Sequence, residues 1–162
     1  MENHKSIVVY YSAQSHTKDI ATKIASNLNA DIFAIEPAQA YTEDDLSWTN
    51  PDSRVTREHS NKSLQDVELK ITIVPNWEEY DTVLIGYPIW WGTSAWPVDS
   101  FVKKVDFGNK IVVPFAVSHS SELGSSDVDL KAIATGGNWQ AGHRFSQDAT
   151  DEEIKTWTDG LQ

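Results

Sequence analysis

Three apolar runs without polar–apolar alternation constrain the fold of this chain most strongly. They extend from Ile7 to Tyr11, from Thr82 to Ile85 and from Ile111 to Val117. A strand without alternation is covered on both faces, which is typical of a parallel sheet between layers of helices. The run from Asp31 to Glu36 ends in an acidic residue and favours a strand nearer the edge. A fifth strand is predicted over residues 141–145.

Helical patterns lie between these strands. Pro97 suits the first turn of a helix with an apolar stripe, a further helix is predicted over residues 126–134, and Thr150 has capping-box spacing to Glu153. After the first strand, apolar residues recur at every fourth position: Ile20, Ile24 and Leu28. Strand and helix therefore alternate. This pattern predicts an α/β fold with an open, doubly wound, five-stranded parallel sheet in three layers.

Residues 37–66 do not follow the alternation. The segment is polar, and Pro51 interrupts any single long helix. We interpret it as an excursion that contains one or two short helices and belongs to the same domain. Beyond it, polar residues alternate with Leu69, Ile71 and Ile73, so an extended piece is expected to lead back to the sheet.

Charge and composition disfavour several partners. The chain fits one domain, residues 1–162, and is long enough to bury a core. With 24 acidic and 13 basic side chains its net charge is −11, so nucleic acid is not an expected partner. An acidic surface serves solubility and can also attract a basic protein partner. No apolar run is long enough to span a membrane, and the absence of cysteine favours a cytoplasmic location and excludes thiolate metal sites.

The segment from Ser12 to Thr17 is a candidate anion site. Ligands of an open parallel sheet bind beyond the carboxyl ends of the strands, and this segment follows the first strand directly before a helix. Hydroxyl groups and free N–H groups at a helix N-terminus bind anions. Ordinary capping of the helix by Ser15 or Thr17 explains the pattern equally well.

The segment from Gly86 to Gly92, which follows the third strand, holds the adjacent Trp90 and Trp91. We expect a loop here. Aromatic surface on a loop is usually functional, because an indole ring can lie against a flat heterocycle. Alternatively, the rings cap the core or cover the next helix, and the two tryptophans can divide these roles.

A third segment, from Ser118 to Gly124, follows the fourth strand. It supplies small side chains and backbone groups that can bond to the polar edge of a ring, although serine-rich loops are common. A phosphate loop, an aromatic loop and a polar loop thus follow three successive strands.

This order of loops resembles the flavodoxin family over nearly the whole chain. The first loop of that family reads roughly Ser/Thr-x-Thr-Gly-x-Thr. Ser12 and Thr17 match it in type, whereas Gln14 replaces a hydroxyl residue and Ser15 replaces the glycine. The segment from Tyr80 to Gly92 is similar to a bacterial flavodoxin-like subgroup and is the most specific match. Only Leu123 and Gly124 keep that subgroup's Gly-Ser-Gly-Leu-Gly pattern in the third loop.

The resemblance implies non-covalent binding of FMN, with the phosphate on the first loop and the isoalloxazine ring between the other two. The cofactor-binding residues that it implies are Ser12, Gln14, Ser15, His16 and Thr17 in the first loop, Pro88, Ile89, Trp90, Trp91 and Gly92 in the second, and Ser118, His119, Ser120, Ser121, Leu123 and Gly124 in the third. Acidic residues expected to border the ring are Glu43, Asp44, Asp45, Glu122, Asp127 and Asp129.

Two functional hypotheses follow. The first is an FMN redox protein, either an electron carrier with a basic redox partner or a reductase that passes hydride from NAD(P)H to a quinone-like acceptor. The second is a non-enzymatic domain that has lost tight flavin binding, because Ser15, Ser120 and Ser121 stand at glycine positions. The five histidines lack metal-ligand spacing and are interpreted as surface residues, so no metal site is expected. No Gly-x-Ser-x-Gly motif of a serine hydrolase occurs.

Overall fold

A parallel sheet forms the middle layer of the computed structural model, which describes residues 5–12, 16–47, 49–91, 93–118 and 122–161. Its strands are β1 (Ser6–Tyr10), β2 (Asp31–Ala34), β3 (Thr82–Trp90), β4 (Thr93–Ser94), β5 (Ile111–Ser118), β6 (Asn138–Trp139) and β7 (His143–Ser146). The parallel order is β2-β1-β3-β5, and β6 and β7 both pair with β5. The predicted five-stranded sheet is confirmed, and its fifth position is divided between two short strands.

The described residues form five α-helices, α1 (His16–Leu28), α2 (Arg54–Ser60), α3 (Trp96–Lys104), α4 (Ser126–Ile133) and α5 (Asp151–Gly160), and all but α2 cover the two faces of this sheet. Residues of α1 and α5 share one buried apolar cluster with the sheet, and residues of α3 and α4 share the other. The predicted doubly wound, three-layer architecture is therefore confirmed. In the part of the chain that the structure describes, no helix has both the length and the apolar character needed to cross a membrane.

Alternate residues of the central strands enter opposite layers. Val8 and Leu84 pack in one cluster with Ile24 of α1, whereas Val9 and Ile85 pack in the other, and all five side chains are fully buried. Because both layers are apolar, these strands have no position left for a polar residue, which explains their sequence.

The fifth position of the sheet is interrupted at residues 140–142. β6 pairs with the beginning of β5 and β7 with its end. Between them, the Gly142 N–H donates to the Asp127 carboxylate at 2.9 Å, which ties this bend to α4. The strand predicted over residues 141–145 corresponds to β7, which begins only at His143 because the bend occupies residues 140–142.

The excursion begins and ends beside β2. Pro37 and Leu69 form an antiparallel bridge, and the Lys70 N–H donates to the Glu36 carbonyl at 2.9 Å. Between these points lie α2 and a short 3-10 helix (Lys62–Gln65), as predicted for residues 37–66. The alternating apolar residues beyond the excursion do not form a buried face, because Leu69 is the one buried member of the three. The side chains of Ile71 and Ile73 are 55% and 80% exposed.

Candidate functional site

The carboxyl ends of β1, β3 and β5 meet at one edge of the sheet. Tyr10 lies opposite Gly86 and Pro88 opposite Val117, and the Tyr11 N–H donates to the Gly86 carbonyl at 3.0 Å. The strand order reverses here, because β1 connects to β2 on one side while β3 lies on its other side. Open parallel sheets bind ligands at such a position.

The first loop is bonded to the N-terminus of α1. The Lys18 N–H donates to the Ser12 hydroxyl at 3.2 Å, so Ser12 caps the helix. Thr17 follows the first helical residue and is buried, whereas His16 and Lys18 are exposed. Of the two caps predicted, Thr17 lies inside the helix and is not the cap, and Ser15, like Gln14, lies outside the described residues. Hydroxyl groups, helix N–H groups and two potential cations therefore lie together, an arrangement that suits an anion.

The second segment is a strand and a hairpin rather than a loop. β3 continues to Trp90 and turns back into β4, with Ile89 opposite Ser94 and Trp90 opposite Thr93. The prediction of a loop is therefore wrong for residues 86–90. β5 is long enough to pair with β3 up to Pro88. The residues of β3 beyond Pro88 pair with β4 in the hairpin. Gly92 lies outside the described residues.

Trp90 lies in an aromatic cluster. Its ring makes edge contacts with Tyr11 at 5.8 Å, with Tyr41 at 5.3 Å and with Trp96 at 5.3 Å between centroids. Because Tyr11 directly precedes Ser12, this cluster links the first loop to the hairpin. Trp90 thus partly caps the core. This was one of the two structural roles predicted for the tryptophan pair.

Trp91 has a different environment from its neighbour. Its side chain is 40% exposed, and its backbone has a left-handed φ of 48°. The indole stacks on the His59 ring, with centroids 4.2 Å apart and planes 6° apart, and lies parallel to Trp96 at 6.0 Å. Trp91 is the tryptophan of this pair that presents the larger aromatic surface to solvent.

The third loop follows β5 and is tied to its neighbours. Ser118 is the last residue of β5, and its carbonyl accepts a hydrogen bond from the Arg144 guanidinium at 3.1 Å. The Ser126 hydroxyl donates to the Leu123 carbonyl at 2.8 Å and lies 2.9 Å from the Tyr87 hydroxyl. Gly124 is exposed and has a φ of 57°. His119, Ser120 and Ser121, the centre of the predicted polar loop, lie outside the described residues.

A buried polar network that the sequence did not predict supports the aromatic cluster. The Tyr41 hydroxyl donates to the Glu58 carboxylate, and the Arg54 Nε donates to the same carboxylate at 3.1 Å. The Arg54 guanidinium also lies 3.8 Å above the Tyr41 ring. The only sequence signal was the i, i+4 spacing of Arg54 and Glu58 in a polar segment, and this spacing usually marks an exposed pair.

The phenols near the site are buried or partly buried, which moves their pKa further from physiological pH. Burial raises the pKa of Tyr11, Tyr41 and Tyr87 well above the usual range, and hydrogen bonding to Glu58 raises that of Tyr41 further. All three phenols therefore remain neutral hydrogen-bonding groups at physiological pH. Among the described residues, no group of three or more His, Asp or Glu side chains could hold a metal ion.

A cleft of about 230 Å³ opens between the first loop and the excursion. Lys70 and Glu36 lie at this cleft, with their charged groups 3.8 Å apart. The other residues that line it include Tyr11, Ser12, Ile35, Pro37 and Tyr41. Its position beside Ser12 makes it an extension of the candidate site along β2.

Comparison with known proteins identifies relatives of this chain. A family model described as flavodoxin matches residues 5–161. No curated protein sequence matches the chain significantly.

Solved structures from two Bacteroides species resemble the chain over nearly its whole length. A protein from Bacteroides eggerthii assigned as a flavoprotein is 34% identical, with a TM-score of 0.87 and 98% of each chain covered. A similarly assigned protein from Bacteroides uniformis is 32% identical, with a TM-score of 0.88, and the match covers 98% of this chain and 99% of that one.

A more distant structure contains FMN. The flavoprotein of Lactobacillus acidophilus, solved in complex with FMN, is 21% identical, with a TM-score of 0.68, and the match covers 96% of this chain and 99% of that one. At this identity the likeness establishes the fold alone.

Proposed function

Since this chain belongs to the flavodoxin family, we propose that it binds FMN without a covalent bond and uses it to transfer electrons. The observation that carries the proposal is the position of two features at the ends of neighbouring strands, where the strand order reverses. The hydroxyl-capped N-terminus of α1 follows β1, and the tryptophan hairpin ends β3.

The first loop fits the phosphate of FMN. The 13-residue helix α1 directs its N-terminus to this edge, and Ser12 and Thr17 supply hydroxyl groups there. His16 and Lys18 are the nearby potential cations, and the exposed Asp19 opposes them. Neutral hydroxyls and helix N–H groups would therefore provide most of the binding to the dianion.

The aromatic hairpin fits a planar ring with polar edges. Trp91 presents an exposed indole surface, and Trp96 contacts both tryptophans of the hairpin. When bound, FMN supplies the redox chemistry, while the protein supplies its position and electrostatic environment.

The absorbance spectrum of the purified protein tests the proposal. We expect a flavin spectrum, and we expect FMN added to the apoprotein to quench tryptophan fluorescence strongly. Trp90→Phe and Trp91→Phe should alter this quenching or the FMN affinity. Trp139→Phe is the matched control, because Trp139 pairs with the beginning of β5, at the opposite end of that strand from the site.

A colourless protein that does not bind added FMN would overturn the proposal and favour a domain of the same fold that has lost tight flavin binding. A protein that binds FMN with unchanged affinity and quenching in both hairpin variants would retain the proposed function. In that case the hairpin would have a purely structural role.

A further inference from the structure

The excursion supplies an aromatic partner to each tryptophan of the hairpin. Tyr41 contacts Trp90, with ring centroids 5.3 Å apart, and His59 stacks on Trp91 at 4.2 Å. We propose that residues 37–66 brace the hairpin for ligand binding, and that His59 is the positioning residue for Trp91. The part of this inference that concerns FMN rests on the function proposed above.

The backbone of Trp91 occupies the first position of a two-residue hairpin connection, where the turn itself requires a positive φ and a bulky side chain gains from support. Its φ of 48° lies in the left-handed region, which a residue with a bulky side chain rarely adopts. A conformation of this kind persists only when surrounding contacts hold it, and such residues cluster at ligand sites. Among the described residues, the ring partners of Trp91 are His59 and Trp96, both parallel to it within 10°. His59 also lies parallel to Trp96, with centroids 6.3 Å apart, and because Trp96 is buried, the exposed His59 is the outer member of this group of three rings.

The helix that carries His59 is fixed in place. Its Glu58 carboxylate accepts hydrogen bonds from Tyr41 and Arg54, and its Val55 is buried beside Trp96. The Gln65 side chain donates to the Glu58 carbonyl at 3.0 Å, which holds the following turn. A buried ion pair is costly unless its hydrogen bonds are satisfied. This network satisfies them, and it sets the helix at a defined distance from the hairpin.

A segment that served only to connect β2 with β3 would not need this hydrogen-bond network. Its polar side chains could all face solvent, yet Glu58 is 7% exposed and the Arg54 guanidinium is bonded on two sides, to Glu58 and to the Gln39 carbonyl at 2.8 Å. The network places the rings of Tyr41 and His59 against adjacent residues of one hairpin. We infer that the excursion keeps the hairpin in a conformation competent to bind a ligand.

The consequence for binding follows from preorganisation. Where only a fraction of molecules holds the competent conformation, the apparent affinity falls by that fraction. An aromatic stack stabilises its partners modestly, so His59→Ala should weaken FMN binding by roughly two- to tenfold. His59→Phe keeps a ring that can stack on Trp91 and should retain most of the affinity. Ser60→Ala, at an exposed neighbour on the same helix, is the matched control.

A nuclear magnetic resonance measurement on the apoprotein, combined with an FMN titration, tests the inference. The indole N–H resonance of Trp91 is identified by its loss in Trp91→Phe. We expect it to move in His59→Ala, to keep a ring-induced shift in His59→Phe, and to stay in place in Ser60→Ala.

Unchanged FMN affinity in His59→Ala would overturn the positioning role, whether or not the resonance moves. Failure of the wild-type protein to bind FMN would refute the proposed function. The resonance alone would then decide the inference: a Trp91 signal in His59→Ala that moves by no more than the lost imidazole ring current would overturn it, and a larger displacement would support it.

Discussion

At the scale of single residues, Thr17 provides the sharpest test of the phosphate site. It lies in the first turn of α1, next to the Lys18 whose N–H is bonded to Ser12, and 3% of its surface is exposed. We expect Thr17→Ala to weaken FMN binding by about ten- to a hundredfold, since a hydrogen bond to a charged group contributes about 1.5–3 kcal/mol. Riboflavin, which lacks the phosphate, should bind almost unchanged.

Fluorescence titrations with both ligands measure this difference. Thr22→Ala is the matched control, because the Thr22 hydroxyl lies one turn further along the same helix and donates to the Lys18 carbonyl at 2.8 Å. An equal loss of affinity for FMN and riboflavin in Thr17→Ala would contradict a phosphate contact at this residue.

Asp99 provides a residue-scale test of stability. Burial raises its pKa to about 6, against the opposing effects of the hydrogen bond from Ser94 and the charge of Lys103. Between about pH 4 and 6 the folded protein therefore binds a proton that the unfolded chain does not bind. Stability from this group falls as the pH rises through that window, by roughly 3 kcal/mol in total.

Asp99→Asn removes the charge and retains an acceptor for Ser94. We expect this variant to be more stable than the wild type at pH 7.5, by up to roughly 3 kcal/mol, and to lose this contribution to the slope between pH 4 and 6. Urea unfolding at several pH values measures both effects. Parallel stability profiles for the two proteins would contradict a buried, destabilised carboxylate.

At the scale of elements, the contact between β3 and β5 depends on Gly86. A Cβ atom at this position would lie 2.3 Å from the fully buried Phe115 ring. Gly86→Ala should therefore destabilise the fold by about 1–3 kcal/mol, as overpacking of a core does. In Gly160→Ala, at the end of α5, the added atom would meet nothing within 4 Å, so stability should hold or rise slightly. Urea midpoints that fall equally in both variants would contradict this account.

The elements differ in how far local sequence determines them. The central strands and the cap of α5 were predictable, because both depend on local pattern; the Glu153 N–H does donate to the Thr150 hydroxyl, at 3.1 Å. The hairpin at Trp90 was not predictable, since it depends on the length of β5. Tyr41 and His59 were also missed, because their partners are 49 and 32 residues away along the chain. Contacts of that separation leave no periodic signal in a single sequence.

At the scale of the whole molecule, the net charge is −11, and some of the exposed acidic residues lie on segments that border the candidate site. Glu43 and Asp44 are exposed on the excursion that carries Tyr41, Glu122 is exposed in the third loop, and Asp129 is exposed in the first turn of α4. Asp45 and Asp127 instead accept backbone hydrogen bonds, from Thr42 and from Gly142. This distribution supports attraction of a basic partner to the carboxyl edge of the sheet.

We predict that electron transfer from the reduced protein to a basic cytochrome slows steeply with salt, because exposed charges are screened beyond about 10 Å at 0.1 M ionic strength. Glu43→Gln should lower the rate at low salt and flatten the salt dependence. Glu78→Gln is the matched control, since Glu78 is exposed just before β3, at the opposite end of that strand. Stopped-flow rates that respond equally to both substitutions would contradict steering to this edge.

The same charge distribution favours a carrier over a reductase that uses NADPH. The phosphates of NADPH would have to approach an edge flanked by Glu43, Asp44 and Glu122, and like charges in proximity slow association. We therefore predict that NADPH alone does not bleach the flavin of the FMN-loaded protein in a stopped-flow experiment, whereas dithionite, which needs no nucleotide site, reduces it. Added salt screens this repulsion, but it should not raise the NADPH reaction to a catalytic rate. The prediction also requires that the protein has no site that holds NADPH for hydride transfer. Fast bleaching by NADPH, followed by steady turnover with a quinone and little dependence on salt, would establish a reductase and refute the carrier.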